Sequence, residues 1–146
     1  LLNNHLQTTS VSQNRKKWER ELAADNTRRE AQAVQDAAET LHENFVKRAF
    51  QTDSICQLAT ASPHPVLVCG DFNSLPSSYT YHRFSESLKD GFKTGGHGYM
   101  YTYRYGKRML RIDYAFHSPE LECTDYYSPN LDLCSDHNPV IFTVKY

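Results

Sequence analysis

A short run of purely apolar residues in the middle of the 146-residue chain limits its fold more than any other feature. Residues 66–69 read Val-Leu-Val-Cys and follow a loop that contains two prolines. A strand that is apolar on both faces is typical of a sheet covered on both sides. The run therefore predicts a buried strand, and residues 140–144 are predicted to form the last strand of the chain.

The N-terminal third supplies helices to cover such a sheet. Residues 12–50 contain no Gly or Pro and are rich in Ala, Glu, Gln, Arg and Lys, which favour helices. Apolar residues recur there at helical spacing, at Trp18, Leu22, Val34, Ala38, Leu41 and Phe45. We expect two amphipathic helices packed on the sheet, and thus an α/β protein; a docking element for a partner is the alternative.

Composition narrows the function without defining it. The formal net charge of −1 argues against broad, charge-driven binding of nucleic acid. The four cysteines have no zinc-like spacing. No apolar run approaches the roughly 20 residues that span a bilayer, so we expect no transmembrane segment.

Asp71 and Asn73 directly follow the buried strand, in Gly70-Asp71-Phe72-Asn73. In an extended chain, residues two apart point the same way, so this carboxylate and carboxamide would face one spot. Oxygen ligands of this kind suit Mg²⁺ or a bound water. A simple turn is the alternative, because Gly, Asp, Asn and Ser favour turns.

Four further polar residues, at three places in the chain, lie on or beside predicted strands. Asp113 lies in the alternating strand 109–116, on the face opposite its apolar side chains, where it is either exposed or buried with a partner. Asp136 and His137 precede the last strand, and His5 follows a short N-terminal strand. Each position has a structural explanation as well as a functional one.

In this order, GDFN (70–73), RIDY (111–114) and SDHNP (135–139) resemble the C-terminal half of the endonuclease/exonuclease/phosphatase superfamily, which includes deoxyribonuclease I-like nucleases, sphingomyelinases and inositol-polyphosphate phosphatases. The resemblance implies the C-terminal half of a four-layer α/β/β/α sandwich with a mixed, mostly antiparallel sheet. Residues 1–146 would be the C-terminal portion of this domain, with a helical segment at 12–50 and a strand-rich catalytic segment at 66–146.

The resemblance also implies roles for single residues. Asp71 and Asn73 match the motif that contacts the attacking water, the metal or the scissile phosphate. Asp113 matches the aspartate that orients the motif histidine, here His137. His5 matches the other active-site histidine.

Two more positions carry over from the resemblance. Asp136 matches a carboxylate close to the metal. Thr102 matches a threonine–aromatic element before RIDY, and we expect it to contact substrate together with Asn73.

The expected function is hydrolysis of a phosphodiester or phosphomonoester by in-line attack of water, with Mg²⁺ or Mn²⁺ as cofactor. The substrate is a nucleic acid, a lipid headgroup or a small phosphorylated metabolite. Tyrosines of the segment 79–105 either stack on bases or pack a core. The alternative is a non-catalytic binding or scaffold module that keeps the fold, although the presence of every motif residue argues against it.

The family's N-terminal half carries an asparagine motif and a metal-binding glutamate that this chain lacks. The chain also opens on Leu1 and Leu2 without Met. We therefore expect a C-terminal piece of a longer protein, with the missing half as its partner and weak metal binding by the 146 residues alone.

Overall fold

The computed structural model describes residues 1–10, 14, 19–20, 27–105, 109–131 and 134–146. The chain divides into two compact units, one formed by Leu1–Leu6 and Gln51–Tyr146 and the other by Gln7–Phe50. The first unit contains the sheets and the candidate site.

Among the residues that the structure describes, the first unit contains six strands, and four of them form one sheet. These are β1 (Leu2–His5), β2 (Leu67–Asp71), β3 (Lys89–Asp90) and β4 (Asp113–His117), in the order β1-β2-β4-β3. The β1–β2 pair is parallel, and β4 is antiparallel to both β2 and β3. A separate antiparallel pair consists of β5 (Glu122–Tyr127) and β6 (Ile141–Lys145). The predicted α/β class with a mixed, mostly antiparallel sheet is confirmed.

The described helices are α1 (Thr27–Thr60), α2 (Tyr79–Ser85) and α3 (Gly91–Gly95). The Ser78 hydroxyl caps α2 by accepting from the backbone N–H of Tyr81, and the Asp90 carboxylate caps α3 by accepting from Phe92 N–H. In the part of the chain that the structure describes, no helix has the length and hydrophobicity needed to cross a bilayer.

The long helix α1 corrects the predicted apolar face of the helical segment. Trp18 and Leu22, which mark the first predicted helix, lie outside the described residues. Val34 and Phe45 are 59% and 54% exposed, so the predicted packing of these side chains is wrong. The buried positions of α1 are instead largely polar or small: Ala33, Asn44, Arg48, Thr52, Cys56 and Ala59.

An aromatic core lies on one face of the four-stranded sheet. Phe72, Phe84, Tyr114 and Phe116 are almost fully buried, and Phe72 contacts each of the other three rings at 5.0–5.6 Å between centroids. Ala115, between two of these residues on β4, belongs to a second cluster with Cys123 and Tyr126. The predicted alternation along this strand therefore holds, with Tyr114 and Phe116 on the face opposite Asp113 and Ala115.

The strand β4 begins at Asp113, four residues later than the sequence predicts. Leu110 makes only an isolated bridge to Tyr103. Arg111 turns into the core, where its guanidinium binds the Asp90 carboxylate through Nη1 at 3.1 Å and Nη2 at 2.8 Å. On β4, the pairing with β2 runs only from the motif aspartate onward, directly after the first two residues of the RIDY motif.

Candidate active site

The register of three strands brings His5, Asp71 and Asp113 into one row. His5 and Asp71 are the last residues of the parallel strands β1 and β2, and they pair with each other. Asp113 is the first residue of β4, which runs the opposite way, and it pairs with Asp71. All three residues therefore lie at the same edge of the sheet, as the positions of their motifs suggest.

Gly70 permits the close pairing of β1 and β2 that this row requires. Its φ is +132°, and a Cβ atom at this position would lie 1.8 Å from the backbone oxygen of Asn4. Only glycine fits such an approach without a shift of the neighbouring strand. The close approach of Asn4 on β1 therefore explains why the GDFN motif begins with glycine.

Asp71 and Asn73 form a closed hydrogen-bonded pair. The Asn73 backbone N–H donates to Asp71 Oδ1 at 2.8 Å, and Asn73 Nδ2 donates to Asp71 Oδ2 at 3.0 Å. Asn73 adopts a left-handed backbone with φ of +47°, which asparagine tolerates better than most residues. Nδ2 also donates to the Leu6 carbonyl at 3.2 Å, so the amide orientation is fixed and Oδ1 is the atom left to bind another group.

The SDHNP motif supplies His137 to the same place. His137 Nδ1 lies 2.8 Å from Asp113 Oδ2, and His137 Nε2 lies 4.0 Å from Asp71 Oδ2. His5 approaches from the other side, with its Nε2 3.6 Å from Asp71 Oδ2. Its side chain is 76% exposed, whereas that of His137 is 24% exposed. The Asp71 carboxylate therefore lies between two imidazoles.

Segment 102–104 fixes the loop that carries His137. The Asn138 N–H donates to the Thr102 carbonyl at 2.7 Å, and the Arg104 N–H donates to the Asp136 carbonyl at 2.8 Å. Arg104 Nη1 donates to the Ser135 carbonyl at 2.9 Å. These bonds place the histidine next to Asp113, although the two residues are far apart in sequence.

Thr102 itself is fully buried beneath the motif aspartate. Its Oγ1 accepts from the N–H groups of Ile112 and Asp113, at 3.0 Å and 3.1 Å. Thr102 thus holds the start of β4 in place. Its expected contact with substrate stays a prediction.

Burial raises the pKa of Asp113 above its ordinary value. The Thr102 hydroxyl and the His137 imidazole oppose this shift, and the neighbouring Asp71 charge adds to it. Burial likewise raises the pKa of Tyr103, helped by Asp136 and Tyr105. The ionised form of Asp113 therefore depends on its contacts with Thr102 and His137, which oppose the effect of burial.

Asp71, Asp113 and His137 form a group that could hold a metal ion, with one ligand atom from each lying within 4.8 Å of the others. Two carboxylates suit Mg²⁺ or Mn²⁺, but the octahedral geometry of Mg²⁺ needs further ligands. Asp136 is exposed and is not a member of this group among the described residues. Its metal role, and that of Asn73, stay predictions.

Sequence reasoning assigned no individual role to two neighbours of this centre. The ring of Tyr103 lies 5.2 Å from that of His137, at an interplanar angle of 67°. Asn138 is only 3% exposed, and its side-chain Nδ2 and Oδ1 have no hydrogen-bond partner within the described ranges. The recurrence of tyrosine at 99, 101, 103 and 105 is a visible signal for the first of these residues, and the second lies within the SDHNP motif.

A cleft of about 410 Å³ adjoins the centre. Asp71, Asp113, His137 and Asn138 line it, together with apolar side chains of the sheet and of β6, among them Cys69, Ala115 and Phe142. The polar groups of the site therefore border an apolar wall.

A mixed α/β fold with an Asp–His pair and a second carboxylate at one sheet edge defines a protein with a candidate hydrolytic centre. The sequence model of the endonuclease/exonuclease/phosphatase family matches residues 15–137, and the chain belongs to this family. Its fold is consistent with the deoxyribonuclease I-like fold of that family.

Several solved structures are similar to this chain in fold. An endonuclease/exonuclease/phosphatase from Bacteroides vulgatus is 26% identical, with a TM-score of 0.57 over 70% of this chain and 44% of its own. A conserved protein of unknown function from Enterococcus faecalis is 18% identical, with a TM-score of 0.62 over 69% of this chain and 45% of its own.

A mannosyl-6-phosphatase from Bacteroides thetaiotaomicron is 23% identical, with a TM-score of 0.51 over 71% of this chain and 46% of its own. The chain thus spans less than half of the length of each of these proteins. No curated protein sequence matches it.

Proposed function

We propose that the chain carries the C-terminal part of the active site of a metal-dependent phosphoesterase, which hydrolyses a phosphodiester or phosphomonoester by in-line attack of water. Family membership supports a phosphoesterase-type hydrolase in general. The observation that carries the proposal is the contact of His137 Nδ1 with Asp113 Oδ2 at 2.8 Å, beside the carboxylate of Asp71.

The Asp113–His137 pair handles the proton of the water in this proposal. When Asp113 accepts a hydrogen bond from the Nδ1–H group of His137, the neutral imidazole presents an unprotonated Nε2, which takes a proton from water. Asp113 then stabilises the imidazolium that forms. Histidine suits this role because its ordinary pKa lies near neutrality.

Asp71, Asn73 and His5 bind and orient the phosphate and the ion in this proposal. A bound Mg²⁺ or Mn²⁺ would neutralise charge on the phosphoryl oxygens and align the reactants. Asp71 is the principal ligand from this chain, since Nδ1 of His137 is engaged by Asp113. Asn73 Oδ1 and the exposed imidazole of His5 face the phosphate, where His5 binds it or protonates the leaving oxygen. Asp136 contributes negative charge nearby.

We further propose that residues beyond these 146 complete the domain and add a glutamate ligand. The relatives are more than twice as long as the part that matches. The unpartnered amide of Asn138 at the apolar-walled cleft supports this arrangement, because a buried amide without a partner costs about 1–3 kcal/mol. Calorimetric titration with Mn²⁺ tests it: we expect weak binding to the 146-residue chain and tighter binding to the longer protein.

The catalytic proposal is tested by phosphatase and phosphodiesterase assays on the protein that carries this chain. Substrates are an oligonucleotide, a sugar phosphate and a phosphocholine ester, each assayed with Mg²⁺, Mn²⁺ or EDTA. We expect metal-dependent turnover of at least one substrate and a loss of roughly 10²–10⁴-fold in His137→Ala and Asp71→Ala.

Matched controls are His82→Ala, an exposed histidine of α2, and Asp125→Ala, an exposed aspartate of β5. Equal activity of wild type and both site variants would contradict the site assignment. Binding without turnover on every substrate would favour the non-catalytic module instead.

A further inference from the structure

Tyr103 lies directly opposite His137 in a short antiparallel pairing of two segments. The residues on either side of them, in segments 102–104 and 136–138, are joined by backbone hydrogen bonds of 2.7 Å and 2.8 Å. Tyr103 and His137 are therefore the non-hydrogen-bonded pair between these two bonds. In such a pair the Cα atoms and the side chains approach most closely. The backbone thus places the phenol ring next to the imidazole.

The two side chains meet across this pairing. Their ring centroids lie 5.2 Å apart at an interplanar angle of 67°, which is an edge-to-face contact. Asp113 Oδ2 lies 2.8 Å from Nδ1 of the same imidazole. His137 therefore has two directional contacts within its own chain, one with a carboxylate and one with an aromatic ring.

Tyr103 is itself held from more than one side. Its backbone N–H donates to the Leu110 carbonyl at 3.0 Å, so Tyr103 pairs with the segment that leads into β4 as well as with the loop that carries His137. The ring of Tyr105 packs on that of Tyr103, with centroids 5.9 Å apart and an interplanar angle of 66°. A half-buried ring with these neighbours is a fixed surface for the imidazole.

The bond to Asp113 alone leaves the imidazole some freedom. The outer torsion of a histidine side chain is broad and roughly two-fold, so that other orientations of the ring are accessible. A neutral imidazole also has two tautomers, and the hydrogen bond of one nitrogen decides which of them is present. The proposed proton transfer needs Nδ1–H directed at Asp113 and a bare Nε2. A second contact that restricts the ring would favour this arrangement.

We propose that Tyr103 is a positioning residue, whose ring holds the His137 imidazole in the orientation in which Nδ1 meets Asp113. Its effect on turnover rests on the proposed phosphoesterase function, whereas its effect on the imidazole does not. The phenol acts through its ring and not as an anion, because burial and the charge of Asp136 raise the pKa of Tyr103 above its ordinary value. We therefore expect phenylalanine to replace Tyr103.

NMR of the imidazole nitrogens tests this orientation without turnover. The protein that carries this chain is labelled with ¹⁵N-histidine and kept in EDTA at mildly alkaline pH, and long-range ¹H–¹⁵N correlations show which ring nitrogen carries the proton. The signals of His137 are identified by their absence in His137→Gln. We expect the Nδ1–H tautomer in wild type and in Tyr103→Phe, and a mixture of both tautomers in Tyr103→Leu.

Steady-state kinetics on the best substrate measures the consequence. We expect Tyr103→Leu to lower kcat roughly 10- to 100-fold and to change KM less than about twofold, because a misplaced imidazole acts on the reaction and not on binding. Tyr103→Phe should keep kcat within about twofold of wild type. Tyr105→Leu removes only the outer neighbour of Tyr103, so its kcat should lie between those of Tyr103→Leu and wild type.

The matched control is Tyr127→Leu, an exposed tyrosine on β5, which we expect to equal wild type in both measurements. Circular dichroism checks the fold of each variant. If Tyr103→Leu does not fold, Tyr103→Met takes its place, because a flexible unbranched side chain fills the space without a ring.

The positioning role is refuted if the variant without the ring keeps the wild-type tautomer of His137, or if Tyr103→Phe fails to restore it. It is also refuted if KM rises while kcat is unchanged, since Tyr103 would then be a substrate contact. A tautomer that depends on Tyr103 in a protein without phosphoesterase activity would keep the positioning role and remove the catalytic function. Turnover and a tautomer that are both insensitive to Tyr103 would do the reverse.

Discussion

His137 Nδ1 lies 2.8 Å from Asp113 Oδ2, and the backbone N–H of Asp113 is held by the hydroxyl of the buried Thr102. The aspartate is therefore fixed from the strand side, and its contact with Nδ1 orients the imidazole of His137. We expect Asp113→Asn to lower the rate of phosphate-ester hydrolysis roughly 10²–10⁴-fold, because the imidazole loses its charged partner. Steady-state kinetics on the best substrate measures this loss, and Asp125→Asn serves as a control.

The same variant should not lose stability at neutral pH. Burial raises the pKa of Asp113 above the 3.8 of the unfolded chain, so its protonated form is the one that the fold favours. The resulting stabilisation is complete below pH 3.8 and is lost as pH rises through the folded-state pKa. At pH 7.5 we expect Asp113→Asn to unfold at equal or higher urea concentration than wild type, with the difference shrinking towards pH 4. A marked destabilisation at pH 7.5 would contradict this.

The sequence predicted the strands and motifs whose patterns are local. The apolar run 66–69, the alternation around Asp113 and the turn after Asp71 each depend on neighbours within a few residues. That Asp71, Asp113 and His137 belong to one site was predicted from the resemblance to a family. Their mutual distances could not follow from either source, since they depend on pairings between distant segments, such as that of Asn138 N–H with the Thr102 carbonyl.

The buried face of α1 was missed for a different reason. An analysis of hydrophobic periodicity treats Arg48 and Thr52 as exposed because their side chains are polar. Both are almost fully buried. Arg48 Nη1 donates to the Gln7 carbonyl at 2.7 Å, and the Thr52 hydroxyl bonds that of Thr80 at 3.2 Å. Polar groups can be buried when such partners are present, and partners from distant segments are invisible to a periodicity analysis.

The glycine of GDFN should be irreplaceable for a steric reason. A Cβ at position 70 would lie 1.8 Å from Asn4 O, and the φ of +132° is unfavourable for any other residue. We expect Gly70→Ala to lower the free energy of unfolding by at least about 2 kcal/mol and to displace His5 from Asp71. Urea denaturation measures the first effect. The control is Gly98→Ala, where φ is +70° but a Cβ atom would meet nothing within 4 Å. If both variants lose the same free energy of unfolding, the effect is due to the positive φ and not to the contact with Asn4.

The cysteines should differ sharply in reactivity. Burial raises the pKa of the Cys56 thiol to about 11, so at pH 8 almost none of it is thiolate. Cys134 is exposed. We expect iodoacetamide at pH 8 to label Cys134 within minutes and Cys56 only in urea, as read by mass spectrometry of peptides. Rapid labelling of Cys56 in the native protein would contradict its burial in the core.

Removing only one partner of the buried ion pair between Arg111 and Asp90 should strongly lower the free energy of unfolding. Their side chains are 8% and 1% exposed, and the Tyr81 hydroxyl donates to the same carboxylate at 2.7 Å. Arg111→Met leaves the Asp90 charge buried without its cation, so we expect a loss of about 3–5 kcal/mol in the free energy of unfolding. Adding Asp90→Asn should recover part of that loss, because the amide keeps an oxygen for the α3 cap without the charge.

Arg83→Met provides the comparison for this pair, since its partners Asp53 and Glu86 are more exposed and such pairs contribute about 1 kcal/mol or less. Urea unfolding of the three variants and wild type forms the measurement. If Arg111→Met costs no more than Arg83→Met, the guanidinium does not hold the start of β4, and the placement of Asp113 depends on its other contacts, with Thr102 and with Asp71 on β2. If the cost is large and Asp90→Asn relieves it, the Arg of RIDY stabilises the strand from which the motif aspartate projects.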